Sequence, residues 1–260
     1  MENRDMSREE RLENLYIAAR NARETSDEQT AIKHYEAISA LEPNSWEALF
    51  YLAVLKTNTI KYGDISNVAI GVSNCLPKVF QLIHSSIDDE KVKKAAVAEV
   101  QKQCAKTAGW LIRVSGNYYN AVTKNDPSAS LMIAAVNMDA KRHARYDSAQ
   151  RAVNIGNILC VCGNCIEATF GMEDTFYQRL AVDCWKAMLQ VHIGHIQQYK
   201  VEVFADESVA RISGKIRRYD PSFEMPKVKA TEKRDYTIKG LLLVAAVVAV
   251  TLLWYWWVWM

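Results

Sequence analysis

AIKHYEAISALEPNSWEALFYLA, residues 31–53, decides the fold. Two amphipathic stretches meet here at a single proline. Ala31, Ile32, Tyr35, Ile38 and Leu41 recur at intervals of three and four, the spacing of one helix face. Pro43 cannot continue a helix, because its ring removes an N–H and crowds the preceding turn. Leu49, Leu52, Ala53 and Leu55 then resume the same spacing. The reading is two helices joined by a tight turn, with these residues inward. Asn44 with Glu47 has the form of a capping box for the second helix, and Ser26 with Gln29 one for the first. Upstream, Ser7 with Glu10 opens another helix, to about residue 23, with Leu12, Leu15, Ala18, Ala19 and Ala22 inward.

The pattern continues downstream. Gly63 is a natural left-handed stop for the helix begun after Pro43, and Asp64 can cap the next one. Pro77 should kink or interrupt that helix. Longer helices are expected over 88–124 and from about 128 to 170, with a possible break at Tyr146-Asp147. Two more are expected over 174–203 and from Asp206 or Ser208 to about 218. Only five prolines punctuate the chain, and period-2 alternation of β-branched residues is hard to find. The fold class is all-α.

Within the first hairpin, Leu15, Ala18, Ala19, Ala31, Tyr35 and Pro43 fall where a tetratricopeptide repeat has its large, small and proline positions. Leu49, Leu52 and Ala53 repeat the large-small signature about 34 residues later, which is the family period. Residues 12–83 therefore resemble a tetratricopeptide-repeat (TPR) protein. The resemblance implies paired helices in which Ala31 permits close approach, Tyr35 packs between them and Pro43 ends the unit. It also implies protein–protein binding in a concave groove. Beyond residue 88 no such period recurs. The organisation expected is TPR-like helical hairpins over 1–86, a bundle of long helices over 87–218 packed on them, a flexible basic linker over 219–239 and a transmembrane helix over 240–260.

That last segment, GLLLVAAVVAVTLLWYWWVWM, has no charged side chain. At about 1.5 Å per residue it spans about 30 Å, the hydrocarbon thickness of a bilayer. Trp254, Tyr255, Trp256, Trp257 and Trp259 gather at its far end, where aromatic rings suit the headgroup level. Lys239 and six further Lys or Arg residues from Arg217 onward precede it, and none follows. Because Lys and Arg remain on the cytoplasmic side, the expectation is a single-pass membrane protein with its N-terminal domain in the cytoplasm. The polar opening MENRDMSREERLEN has no apolar signal core, which agrees.

Candidates for chemistry are few. Cys162 and Cys165 form a C-x-x-C pair, and Cys184, His192 and His195 lie on the following helix. Together they could supply a zinc or redox site, the alternative to a binding scaffold. Against it, Ile155, Ile158, Leu159, Val161 and Ile166 surround the cysteines with an apolar helix that would bury them as small core residues. No phosphate-binding glycine loop, nucleophile elbow or H-E-x-x-H motif occurs, so neither a cofactor nor an enzyme activity is expected. A formal charge of +2 without a basic stripe argues against nucleic acid. The expected partners are protein, through the helical domain, and a lipid bilayer, through the tail. In alkaline carbonate extraction of membranes the full chain should stay in the pellet, and a chain ending before Gly240 should move to the supernatant. Release of the full chain would contradict a spanning tail.

Overall fold

Ser7 and Glu10 cap the first helix reciprocally: the Glu10 N–H donates to Ser7 Oγ (3.1 Å) and the Ser7 N–H to Glu10 Oε2 (2.9 Å). The helix, α1, runs Arg8–Glu24. The computed structural model describes residues 7–59, 62–123, 131–201 and 206–225. Among these residues the chain is all helical, without a strand. The Trp-rich tail, Lys239 and most of the linker lie outside them.

The next two caps differ from expectation by one residue each. Ser26 takes a left-handed φ of 60°, the turn that closes α1, and so cannot begin a helix. Asp27 caps α2, Glu28–Leu41, accepting from the Thr30 N–H (3.2 Å). Ser45 rather than Asn44 caps α3, Trp46–Leu55, accepting from the Ala48 N–H (3.2 Å). Glu47 is thereby freed from capping. The buried face of α3 is also turned from the expected one: Glu47, Ala48, Phe50, Tyr51, Val54 and Leu55 are buried, while Leu49, Leu52 and Ala53 are only half-buried. The short helix is enclosed by α2, α4 and α5, so no single stripe describes its core side.

α3 gives way to 3-10 turns over Lys56–Thr59 and Tyr62–Asp64, several residues before the expected stop at Gly63. α4, Ile65–Ser86, continues through Pro77 without interruption, and Pro77 faces outward. α5 (Glu90–Thr123) and α6 (Leu131–Phe170) are long, and α6 is unbroken at Tyr146-Asp147. Gly171, at φ 74°, closes α6 by donating its N–H to the Glu167 carbonyl (3.2 Å). Asp174 then caps α7, Thr175–Tyr199, through the Phe176 N–H (2.8 Å). Lys200, at φ 58°, ends α7 before the expected residue 203. α8 spans Asp206–Tyr219.

Consecutive helices pack in order from α1 to α4, and α4 packs on α6 as well as on α3. α6 is the central element, touching α4, α5 and α7, with Ile155, Ile158, Cys162 and Ile166 fully buried. By length and composition alone, Ala140–Phe170 could cross a membrane. It contacts α4, α5 and α7, and 39% of its apolar window is buried within the domain. Trp185, the largest fully buried side chain, locks α7 to α6 and α8. Its Nε1–H donates to Asn164 Oδ1 (3.2 Å), and Lys215 of α8 donates to the same oxygen (3.0 Å) while lying over the indole ring (4.9 Å). Lys215 also pairs with Glu167.

Residues 219–225, expected as the start of a flexible linker, instead fold back onto the core. Asp220 pairs with Lys186 (2.8 Å), and Phe223 and Met225 pack against the apolar interior. Among the described residues, helices α1 to α8 belong to one compact unit.

A methyl group at Gly163 would sit 2.7 Å from Trp185 Nε1 and 3.0 Å from the Ala181 carbonyl. Glycine is therefore required at this contact between α6 and α7. Gly163→Ala should destabilise the domain by about 1–3 kcal/mol, read from the urea midpoint, through overpacking. An unchanged midpoint would contradict this packing.

Candidate functional site

α3 carries a single charge, Glu47, in an otherwise uncharged helix, and buries it to 5% exposure. A buried carboxylate needs donors to replace water. Glu47 has three. Arg20 of α1 donates through Nε to Oε1 (2.9 Å) and through Nη2 to Oε2 (2.6 Å), a two-point fork. The Tyr35 hydroxyl of α2 donates to Oε1 (2.9 Å). One side chain thus ties three helices. Beside it the Tyr16 hydroxyl donates to Glu42 Oε2 (2.6 Å) and shares a hydrogen bond with the Ser45 hydroxyl (2.5 Å).

The network extends to α5 through stacked rings. Tyr35 stacks on Tyr51 at 5.3 Å, and the Tyr51 hydroxyl donates to Glu99 Oε1 (2.6 Å), which also accepts from Gln103 Nε2 (2.9 Å). Burial pushes the Tyr35 and Tyr51 hydroxyls above their ordinary pKa, aided by the Glu47 and Glu99 carboxylates respectively, so both remain donors. Burial also acts to raise the Glu99 carboxyl. The Tyr51 and Gln103 hydrogen bonds and the nearby Arg23 guanidinium outweigh it and hold Glu99 below its usual range. Arg23 lies over the Tyr51 ring, with Cζ 3.8 Å from the centroid.

Two cavities open against this network. One, of about 580 Å³, lies between α1, α3 and α5 and is lined by Tyr16, Arg20 and Trp46. The other, of about 1110 Å³, is lined along α5 by Lys102, Lys106, Trp110 and Arg113. Arg23, Tyr51 and Glu99 line both, so the cavities adjoin along that wall. Together they form a groove with aromatic walls and a charged, largely hydrogen-bonded floor. Sequence reading missed these residues. The available signal was one glutamate in an uncharged helix, with arginines at 20 and 23 one turn apart on the preceding hairpin.

The cysteine and histidine candidates separate. Cys162 is buried within hydrogen-bonding reach of Cys184 and of Cys104 on α5, a neighbour absent from the sequence pattern. The hydrogen bond with Cys104 and burial hold the Cys162 thiol well above its ordinary pKa, against the opposing bond with Cys184, and the bond with Cys162 and burial do the same for Cys184, which keeps both protonated and weakly nucleophilic. Cys165 faces Cys75 of α4 instead, and burial pushes these two thiols to about 11 and about 12. His192 and His195 meet each other farther along α7, ring centroids 5.0 Å apart. Among the described residues no group of three or more His, Cys, Asp or Glu side chains is placed to hold a metal ion.

The TPR-like packing positions divide by burial. Ala19, Ala31 and Tyr35 are fully buried. Leu15, Ala18, Leu49, Leu52 and Ala53 are half-buried, and Pro43 is exposed. Compared with protein-family models, curated proteins and solved structures, the chain matches none.

Burial lowers the His195 pKa to about 4, with the His192 charge adding to the push. A histidine held neutral in the fold binds fewer protons than in the unfolded chain, so its stabilisation is present above the unfolded value of about 6.5 and is lost as pH falls toward 4. The urea midpoint of wild type should therefore drop between these limits, with a shallower drop in His195→Gln. Parallel profiles would contradict this origin.

Proposed function

We propose that the chain is a single-pass, C-terminally anchored membrane protein whose helical domain, on the cytoplasmic side, binds a protein partner in the groove between its N-terminal hairpins and α5. The observation that carries the reading is the pair of adjoining cavities against the Glu47–Tyr51–Glu99 network. A binding surface gains when its walls are rigid before the partner arrives, because less ordering is left to complete on association. Here the wall side chains are already held by hydrogen bonds and ring stacking.

Two further observations support it. The burial of Ala19, Ala31 and Tyr35 agrees with a TPR-like pairing of α1 and α2, in which small residues allow helix approach and an aromatic fills the space between. The 240–260 segment is long and apolar enough for one bilayer crossing. The function read from both is recruitment: the groove selects the partner, and the tail confines the encounter to a membrane surface.

Site-specific photocrosslinking in native membranes tests this. With the crosslinker at Arg113, on the groove wall, one discrete protein adduct is expected. At Tyr146, on the exposed side of α6 and 52% exposed, that adduct should be absent. The same adduct from Tyr146 and none from Arg113 would place partner binding elsewhere.

A further inference from the structure

We infer that the wall shared by the two cavities is an anion site. Its ligand is the side-chain carboxylate of an Asp or Glu within an extended segment of the partner protein. The inference rests on the groove reading above and adds the chemistry that the groove recognises.

The central observation is the Arg23 guanidinium. Its Nη1 is buried and has no hydrogen-bond partner among the described residues. Arginine offers donors only, so what completes it must be an acceptor. A buried donor left unmade is costly, and more so when it belongs to a charged group. The neighbouring carboxylates are already engaged. Glu47 accepts from Arg20 and Tyr35, and Glu99 from Tyr51 and Gln103. Arg23 Cζ lies 3.8 Å from the Tyr51 ring centroid, so the ring holds the guanidinium at the wall the two cavities share.

Three features choose among acceptors. A planar carboxylate matches the in-plane fork of a guanidinium. Glu47 and Glu99 line the same walls, so a dianionic phosphate would meet stronger repulsion than a single carboxylate. And Arg23 stands where the cavities adjoin, with about 580 Å³ on one side and about 1110 Å³ on the other. A ligand centred there has room to continue in both directions. That suits a residue inside a segment rather than a chain terminus. The larger cavity is lined by Arg23, Lys102, Lys106 and Arg113 against Glu24, Glu28 and Glu99, and this excess of positive charge favours further acidic residues in that direction.

The test uses the full-length protein in phosphatidylcholine nanodiscs. The probe is a library of random decapeptides displayed between two fixed Gly-Ser linkers, so that no free terminus is present. Peptides selected on wild type should carry Asp or Glu at one fixed position. Changing that residue to Asn or Gln should weaken binding about tenfold or more, equivalent to about 1.4 kcal/mol. On Arg23→Gln the same peptide change should have little effect. Arg23→Lys is run beside it, so that misfolding of the Gln variant would still leave a readout; there the penalty should shrink, because the charge remains but the fork is lost. Inorganic phosphate in excess should not displace the peptides. Selected peptides with no acidic position, or an acidic penalty unchanged on both variants, would overturn the anion site and leave the groove standing. Failure to select any peptide on wild type would overturn both.

Discussion

A single buried carboxylate sets the geometry of the N-terminal half. Glu47 sits in an apolar helix, where an unpaired charge would be prohibitively costly. It is accommodated only because α1 supplies Arg20 and α2 supplies Tyr35 at bonding distance. Apolar contacts alone permit helices to slide and rotate with small changes in buried area. Directed hydrogen bonds to two oxygens do not. The register of three helices follows from this requirement, and so does the position of Tyr51, which stacks on Tyr35 and carries the network to Glu99 on α5.

The C-terminal half is organised differently. There the governing constraint is steric: Gly163 lets α7 approach α6 until Trp185 lies against the backbone. The indole then needs a partner for its N–H, which Asn164 provides, and Lys215 brings α8 to the same point. A third node joins the halves. Phe170 and Tyr177 stack at 4.6 Å, Phe80 of α4 meets Phe170 edge-on, and the Tyr177 hydroxyl donates to Glu90 at the start of α5 (2.7 Å). The groove thus has a polar, fixed wall on a scaffold held together at both ends.

Much of the helical order was legible because it depends on local physics. The Ser7–Glu10 box, the inward Ala31, Tyr35 and Ile38, and the ends of α5 and α6 to within a few residues all follow from periodicity and caps. What was not legible depended on tertiary choice. Asn44 and Ser45 both have capping side chains, and only the contact of Ser45 with Tyr16 favours the second. Pro77 is tolerated within α4 because it faces outward. The C-x-x-C spacing placed Cys162 and Cys165 together in sequence, but consecutive turns of a helix direct them to different neighbours, Cys104 and Cys184 for one and Cys75 for the other. The groove residues were hidden for the same reason. Arg23, Tyr51 and Glu99 come from three separate helices, and no spacing rule joins them.

Native-state hydrogen exchange of Glu47→Gln tests the central claim most directly. The substitution keeps the side chain's size but weakens the fork from Arg20 and removes the charge. If the Glu47 carboxylate holds α1, α2 and α3 in register, protection should fall in all three helices and remain unchanged in α6 and α7. Unchanged protection of α1, or an equal loss across the whole domain, would contradict it.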